Sequence, residues 1–305
     1  MSFVATFISD PANPTVNRTV LRAARDVLIC LGARVERSEI WLDHEIAADI
    51  FFAAQPDALT PIRERLHAAL SGARVDVVVQ GAAGRRKKLL LADMDSTMIG
   101  QECIDELADH AGVKAKVAAI TERAMRGEIE FESALRERVR LIKGLPVAVV
   151  DEVVNCRISL NSGAVTLVAT MRSHGAYTCL VTGGFTAFSA PVASMIGFEE
   201  NHANRLLVDA QQRLTGEVDE PIFAREGKLM TLIRLRERLR LQEQETLALG
   251  DGANDIPMLQ AAGLGIAYRA KPKVAAAAAA RIEHGDLTAA LYAQGYGRKE
   301  FVGKL

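Results

Sequence analysis

Leu89-Leu90-Leu91-Ala92-Asp93-Met94-Asp95-Ser96-Thr97 is the stretch on which the fold of this chain turns. Four apolar residues read as a buried strand, and the strand runs straight into two carboxylates spaced i and i+2. Such a pair points the same way for as long as strand geometry lasts. Open parallel sheets bind their ligands just outside the carboxyl ends of their strands, which is where these acids would sit. Two acids this close are costly without a cation or a shared proton. A lone D-x-D is commonly a capped turn; its place after an apolar strand argues for chemistry.

Two further strands end in the same manner. Leu247-Ala248-Leu249 runs into Gly250-Asp251-Gly252-Ala253-Asn254-Asp255. The glycines allow tight turns, and the acids and amide offer oxygen ligands of the kind a hard cation such as Mg²⁺ takes. The spacing is not that of an EF-hand loop. Cys179-Leu180-Val181 runs into Thr182-Gly183-Gly184-Phe185, where a hydroxyl and backbone N–H groups at a strand-to-helix junction suit a phosphate. Lys228 follows Gly227 at the start of a helical stretch and alone would be an ordinary exposed lysine. Together, these strand ends supply a nucleophile with an acid/base, a phosphate cradle and an acidic metal loop.

Short apolar strands are expected at Leu89 to Ala92, Tyr177 to Val181, Thr246 to Leu249 and Leu264 to Ala267, with long helical stretches between them. That alternation predicts an α/β fold: a mainly parallel sheet with helices on both faces. The amphipathic segment from about Gln101 to Ser159 is too long for a simple crossover and reads as an inserted helical cap. Ala275 to Ala280 reads as plain helix, alanine being the best helix former.

The first 84 residues form a separate small unit. Strands are expected at Phe3 to Ile8, Arg34 to Leu42, Ile46 to Ala54 and Val75 to Val79, and helices at Thr15 to Leu31 and Pro56 to Leu70. Their order, β-α-β-β-α-β, is that of a ferredoxin-like α+β sandwich. Gly81 to Gly84 reads as a linker, and Arg85, Arg86, Lys87 and Lys88 as its solvated continuation. No aromatic residues interleave with these cations to suggest base stacking. The domains are therefore 1–84 and 85–305.

With 305 residues the chain has room for about two domains, at roughly 150 residues each. A formal net charge of -1 gives it no general attraction for nucleic acid or an acidic membrane. Cys30, Cys103, Cys156 and Cys179 form no C-x-x-C pair or zinc-spaced cluster and are expected as free thiols. Asp10 and Pro11 end a short N-terminal apolar run that carries no leading positive charge, so it is no secretory signal. No stretch reaches the ~20 apolar residues that span a bilayer, so a cytoplasmic protein is expected.

With these residues in view, 85 to 296 resembles the phosphoserine phosphatases of the haloacid dehalogenase (HAD) superfamily. The family's D-x-D-x-T stands here as Asp93 to Thr97, its hydroxyl-Gly-Gly-Phe as Thr182 to Phe185, its lysine as Lys228, and its G-D-G-x-N-D as Gly250 to Asp255. In the expected cap, Glu102-Cys103-Ile104-Asp105-Glu106 matches E-x-I-D-E, and Met125, Gly127, Phe131 and Ala134 to Val139 match a Met-x-G…F…S-x-R-x-R-V pattern. Met94, Thr182 and Ala134 depart from the commoner Phe, Ser and Ser without touching the chemistry.

The resemblance implies a Rossmann-like HAD core with a helical cap. It implies hydrolysis of O-phospho-L-serine, the last step of serine biosynthesis, through an aspartyl-phosphate. Asp93 would be nucleophile and Asp95 acid and base. Thr182, Gly183 and Lys228 would hold the phosphate. Mg²⁺ would be bound by Asp93, Asp251 and the backbone carbonyl of Asp95, with Asp255 in support. Glu102 would take the serine ammonium and Arg138 its carboxylate, Met125 and Phe131 would shield the site, and Asn254 would lie near the substrate. Asp95 separates phosphatases from dehalogenases, whose halide needs no proton.

The alternatives are a HAD phosphatase or phosphotransferase for another small phosphomonoester, and an amino-acid sensor in which the N-terminal unit acts like an ACT-type module. That second likeness is one of element order, and the Ser9 to Asn17 loop is Pro-rich where such modules are Gly-rich. Packing or homodimerisation is the plainer role for that unit. The expected partner is a small molecule, with no nucleic acid and no membrane.

Overall fold

The computed structural model describes residues 1–125 and 128–303, the side chain of Met125 excepted. The chain opens with β1 (Ser2–Ile8), α1 (Arg18–Cys30), β2 (Arg34–Val35), β3 (Ile40–Asp43), β4 (Ala47–Ala53), α2 (Leu59–Leu70) and β5 (Asp76–Gly81). β1 lies between β4 and β5 and runs antiparallel to both, and β2 and β3 share the outer side of β4. This is the strand order of a βαββαβ sandwich. α1 begins at Arg18 rather than Thr15 because the Asn17 side chain accepts the Thr19 and Val20 N–H groups, a standard N-cap.

Two expectations for this unit need correction. The strand expected over Arg34 to Leu42 is two short strands. The intervening Glu36-Arg37-Ser38-Glu39 is too polar to lie in the sheet, and Arg25 of α1 reaches the Glu36 carbonyl at 2.6 Å and Glu39 at 3.3 Å. The helix expected from Pro56 is a 3₁₀ turn at Pro56–Ala58, after which α2 begins.

The remainder follows as β6 (Leu89–Ala92), α3 (Cys103–His110), α4 (Lys114–Met125), α5 (Phe131–Leu141), α6 (Ala148–Cys156), α7 (Ala164–Ser173), β7 (Tyr177–Phe185), α8 (Thr186–Ile196), β8 (Glu200–Asn204), β9 (Leu206–Val208), β10 (Leu214–Val218), α9 (Arg225–Arg238), β11 (Thr246–Gly250), α10 (Ile256–Ala261), β12 (Leu264–Tyr268), α11 (Pro272–Ala277), β13 (Ala280–Ile282) and α12 (Ala289–Ala293). Six strands form one parallel sheet in the order β13-β12-β11-β6-β7-β8. The three strands that carry the sequence motifs, β11, β6 and β7, are adjacent at its centre. The strand order reverses there, which opens a crevice at the carboxyl ends.

The period-2 alternation of β6 serves two cores at once. Leu90 and Ala92 join the large cluster with α7, α8 and α12, whereas Leu89 and Leu91 pack with Leu232 and Leu235 of α9 and Met258 of α10. Such two-sided burial explains why the strand reads as a continuous apolar run. Ala280 does not extend the alanine-rich helix: α11 ends at Ala277, and Ala280 opens β13, paired with Ile266 of β12. The polar β8 and the β9–β10 hairpin were not expected at all.

The N-terminal sheet is also covered on both sides. Phe3, Ala5 and Phe7 face α1 and α2, while Ile8, Ala47 and Val78 join the large cluster beside Leu291 and Tyr292. The basic run is solvated only in part: Arg86 and Lys88 are exposed, whereas Lys87 is buried and Arg85 half-buried. Arg85 pairs with the buried Asp49, Arg86 with Glu300 at 2.7 Å, and Lys88 with Glu245 at 2.7 Å, while the Lys87 ammonium donates to the Gln244 carbonyl at 2.8 Å. Asp76, at the start of β5, accepts N–H groups from Glu283 and Gly285, each at 2.8 Å, and from His284 at 3.2 Å. Burial pushes its carboxyl above the usual range, and these backbone bonds oppose that. Asp76→Ala would leave those N–H groups without their acceptor, so a loss of about 2 kcal/mol is expected in denaturant unfolding. Unchanged stability would show that this latch is idle.

Candidate active site

The chain leaves β6 through a tight coil in which the Met94 carbonyl accepts N–H groups from Thr97, Met98 and Ile99. Ser96 adopts a left-handed conformation, φ 56°. Asn161 closes the coil by donating to the carbonyls of Thr97 at 2.8 Å and Ile99 at 3.2 Å. Asp93 and Asp95 are thereby fixed at the mouth of the crevice, on a scaffold of backbone bonds.

Lys228, fully buried on α9, donates to Asp93 Oδ1 at 2.7 Å and to Asp255 Oδ1 at 2.6 Å. Burial works against its charge, but the Asp255 and Asp93 carboxylates together outweigh that and hold the ammonium above its ordinary range. Asp255 Oδ2 accepts the Gly252 N–H at 2.9 Å, and Asp251 Oδ1 accepts the Thr97 hydroxyl at 3.0 Å. Oxygens of Asp93, Asp251 and Asp255 all lie within 4.8 Å of one another.

A single ammonium does not balance three carboxylates. Burial first, and Asp255 next, push Asp93 well above the usual carboxylate range against the opposing pull of Lys228. Burial and Asp255 also push Asp251 up to about 6. The donor set is all oxygen and short of positive charge, so it fits a hard divalent cation. Asp255, expected as a support, stands inside this group, yet both of its oxygens already serve Lys228 and Gly252.

Asp95 faces another way. Its Oδ1 accepts the Cys103 N–H at 3.2 Å, and its Oδ2 accepts the Thr182 hydroxyl at 3.3 Å. Burial, with Glu102 adding to it, pushes its carboxyl up to about 7. A carboxyl poised there can give and take a proton near neutral pH. Thr182 Oγ1 in turn accepts the Gly184 N–H at 2.9 Å. A Cβ on Gly184 would stand 2.9 Å from Asp95 Oδ2, and one on Gly183 would stand 3.0 Å from the Phe131 ring. Only glycine lets the loop approach so closely. The Asn254 amide is also beside Gly183, 3.9 Å from the same Cβ position.

The four-helix segment from α3 to α6 brings its own groups. Glu102 precedes α3, and its carboxylate accepts the Ser96 hydroxyl at 2.7 Å. Arg138 of α5 donates to the Ala134 carbonyl at 3.3 Å and to Thr121 Oγ1 at 3.5 Å. Burial lowers its guanidinium pKa, while Glu102, Asp105 and Asp95 act in the opposite direction. Opposite charges at Glu102 and Arg138 thus border the crevice near Asp95. The Met125 side chain and Gly127 lie outside the described residues.

Sequence reasoning passed over Ser96, Thr97 and Asn204, though the first two lie inside the quoted motif. It also gave no hint that Cys179, Glu200 and His202 meet in space. There the Glu200 carboxylate is bound by His202 at 2.6 Å, Tyr177 at 2.8 Å, Arg234 at 2.9 Å and Arg238 at 2.8 Å. Two guanidinium groups already supply the positive charge, so this is an ion-pair knot on the sheet edge.

Residues 90–260 match the model of the haloacid dehalogenase-like hydrolases. The chain belongs to that family. A phosphoserine phosphatase from Polaromonas sp. is 45% identical over 205 residues, covering 66% of this chain and 86% of that protein. Among those hydrolases, the chain therefore groups with the phosphoserine phosphatases. A solved phospho-aspartyl intermediate analogue of phosphoserine phosphatase is similar at a TM-score of 0.63 and 38% identity, covering 68% of this chain and 98% of that one. A HAD family hydrolase from Salmonella enterica serovar Typhi matches at a TM-score of 0.81 and 26% identity over 96% of this chain and 98% of its own.

Lys228→Met would strip the buried carboxylates of their ammonium. A loss of roughly 3–5 kcal/mol is expected in chelator-treated protein, with partial recovery when a divalent cation is added. Thermal unfolding with and without the cation tests this, and a loss indifferent to the cation would disconnect Lys228 from the metal group.

Proposed function

We propose that this chain hydrolyses O-phospho-L-serine to L-serine and inorganic phosphate. The observation that carries the reading is the pairing of two unlike acids. Asp93 is pinned by a buried ammonium, and Asp95, two residues on, is poised near neutrality and bonded to the hydroxyl of the neighbouring loop.

Asp93 attacks phosphorus in line and forms an aspartyl-phosphate as the phosphorus–serine oxygen bond breaks. Asp95 gives its proton to the departing serine oxygen. Water then attacks the phosphorus, its proton passes to Asp95, and the bond to Asp93 breaks to release phosphate. Thr182, the Gly183 N–H and Lys228 hold the phosphoryl oxygens. The Asp93 and Asp251 carboxylates and the Asp95 carbonyl would hold Mg²⁺, which would supply positive charge against those oxygens. Asp255 orients Lys228, and Asn254 faces the substrate beside Gly183.

Glu102 receives the serine ammonium and Arg138 its carboxylate, a planar fork suited to that group. Phe131 covers the bound substrate beside Gly183. This pairing selects a zwitterion over other small phosphomonoesters. Among the described residues no helix is long and apolar enough to cross a membrane. A cytoplasmic setting fits a small charged substrate. The N-terminal unit serves as a packing and homodimer surface, a role supported by half-exposed Ile40 on the edge strand β3.

Phosphate release from phosphoserine, phosphothreonine, phosphotyrosine, a sugar phosphate and an aryl phosphate tests the reading. Strong preference for phosphoserine, abolished by EDTA and restored by Mg²⁺, is expected. Asp93→Asn should abolish turnover on every substrate, and retention of most activity would refute the nucleophile. Arg138→Ala should lower kcat/KM about 10- to 100-fold on phosphoserine and little on the aryl phosphate. Equal losses on both would remove Arg138 from substrate recognition.

A further inference from the structure

Asn204 ends β8 at the point where β7 bulges. The β7–β8 register shifts between Val181 and Phe185, and Phe185 pairs with Asn204 across the gap. The irregular residues are Thr182, Gly183 and Gly184, the first two of which carry proposed phosphate-binding groups. Asn204 is 3% exposed. Its Nδ2 donates to the Gly183 carbonyl at 2.9 Å and to the Phe223 carbonyl at 3.0 Å, and its Oδ1 accepts the Phe223 N–H at 2.6 Å.

These bonds join two parts of the site that are far apart in sequence. The peptide between Gly183 and Gly184 is held at both ends, its carbonyl by Asn204 and its N–H by Thr182 Oγ1 at 2.9 Å. With its oxygen occupied by that N–H, the Thr182 hydroxyl is turned to donate, towards Asp95 Oδ2 in this structure. On the other side, Phe223 lies one residue before the helix cap Ala224, and its ring packs on Gly227, next to Lys228.

We infer that Asn204 is a positioning residue that yokes the Thr182-Gly183-Gly184 loop to the helix carrying Lys228, fixing the hydroxyl and the ammonium in one relation around the phosphoryl group. A buried primary amide suits the task, because it offers two donors and an acceptor in one plane. The inference rests on the reading of Thr182 and Lys228 as phosphate ligands.

Asn204→Asp keeps the acceptor for Phe223 and removes both donors; Asn204→Ser shortens the side chain. Each is compared with Thr182→Ala for kcat, KM, melting temperature and the inhibition constant of inorganic phosphate, using the full chain with Mg²⁺. Both Asn204 variants are expected to lower kcat about 10- to 100-fold on phosphoserine and aryl phosphate alike, and to raise the phosphate inhibition constant. A merely structural role would lower the melting temperature and leave both constants of the folded enzyme unchanged, which would overturn the inference. If Thr182→Ala raises the phosphate inhibition constant while the Asn204 variants do not, only the role of Asn204 fails. If Thr182→Ala does not raise it either, the phosphate cradle fails and the inference with it. Should the variants not fold, phosphate titration of the wild-type protein by NMR decides. The Asn204 side-chain amide signals should shift with those of Gly183 and Gly184, and their staying fixed would overturn the inference.

Discussion

Everything at the centre of this protein depends on one ammonium group held in the dark between two acids. Lys228 has no exposed surface, and it bonds Asp93 and Asp255 within 2.7 Å. A charge buried so completely is tolerable only with partners, and its partners are tolerable only with it. The consequence is mutual location: α9, β6 and the loop after β11 must meet at one point. The shortfall of positive charge that remains among the three carboxylates is a second constraint, and it makes the crevice a place for a cation and an anionic phosphoryl group to arrive together.

The central sheet was legible because burial on both faces writes itself as unbroken apolar runs, such as Leu89 to Ala92. The reacting groups were legible because they stand immediately after those runs. The elements that escaped notice lack this signature. β8 reads Glu-Asn-His-Ala-Asn, polar because Glu200 and His202 serve the ion-pair knot with Arg234 and Arg238 instead of a core. β13 begins in an alanine-rich stretch whose helix propensity is overridden by pairing with β12. Arg85 and Lys87 looked solvated because a one-dimensional reading cannot supply Asp49 and the Gln244 carbonyl, which meet them only in the folded chain.

The site divides along the same line. Asp93, Asp251, Asp255 and Lys228 converge, as their motif positions suggested, since motifs at adjacent strand ends must meet. Asn204 was invisible because its value lies in three hydrogen bonds to backbone atoms of residues 183 and 223. Backbone partners leave no trace in residue type. Ser96 likewise owes its usefulness to a backbone conformation, φ 56°, that aims its hydroxyl at Glu102.

The close approach of Phe131 to Gly183 has a mechanical meaning. The aromatic ring of α5 rests on bare backbone of the loop beyond β7, where even a methyl group would stand 3.0 Å from it. The lid and the floor of the chamber therefore touch like a gasket against a flange, with the glycine as the machined face. A side chain there would require the Phe131 ring to give way by a few tenths of an ångström, loosening this contact. The fit of the helical segment against the β7 loop is thus set in part by an atom that is absent.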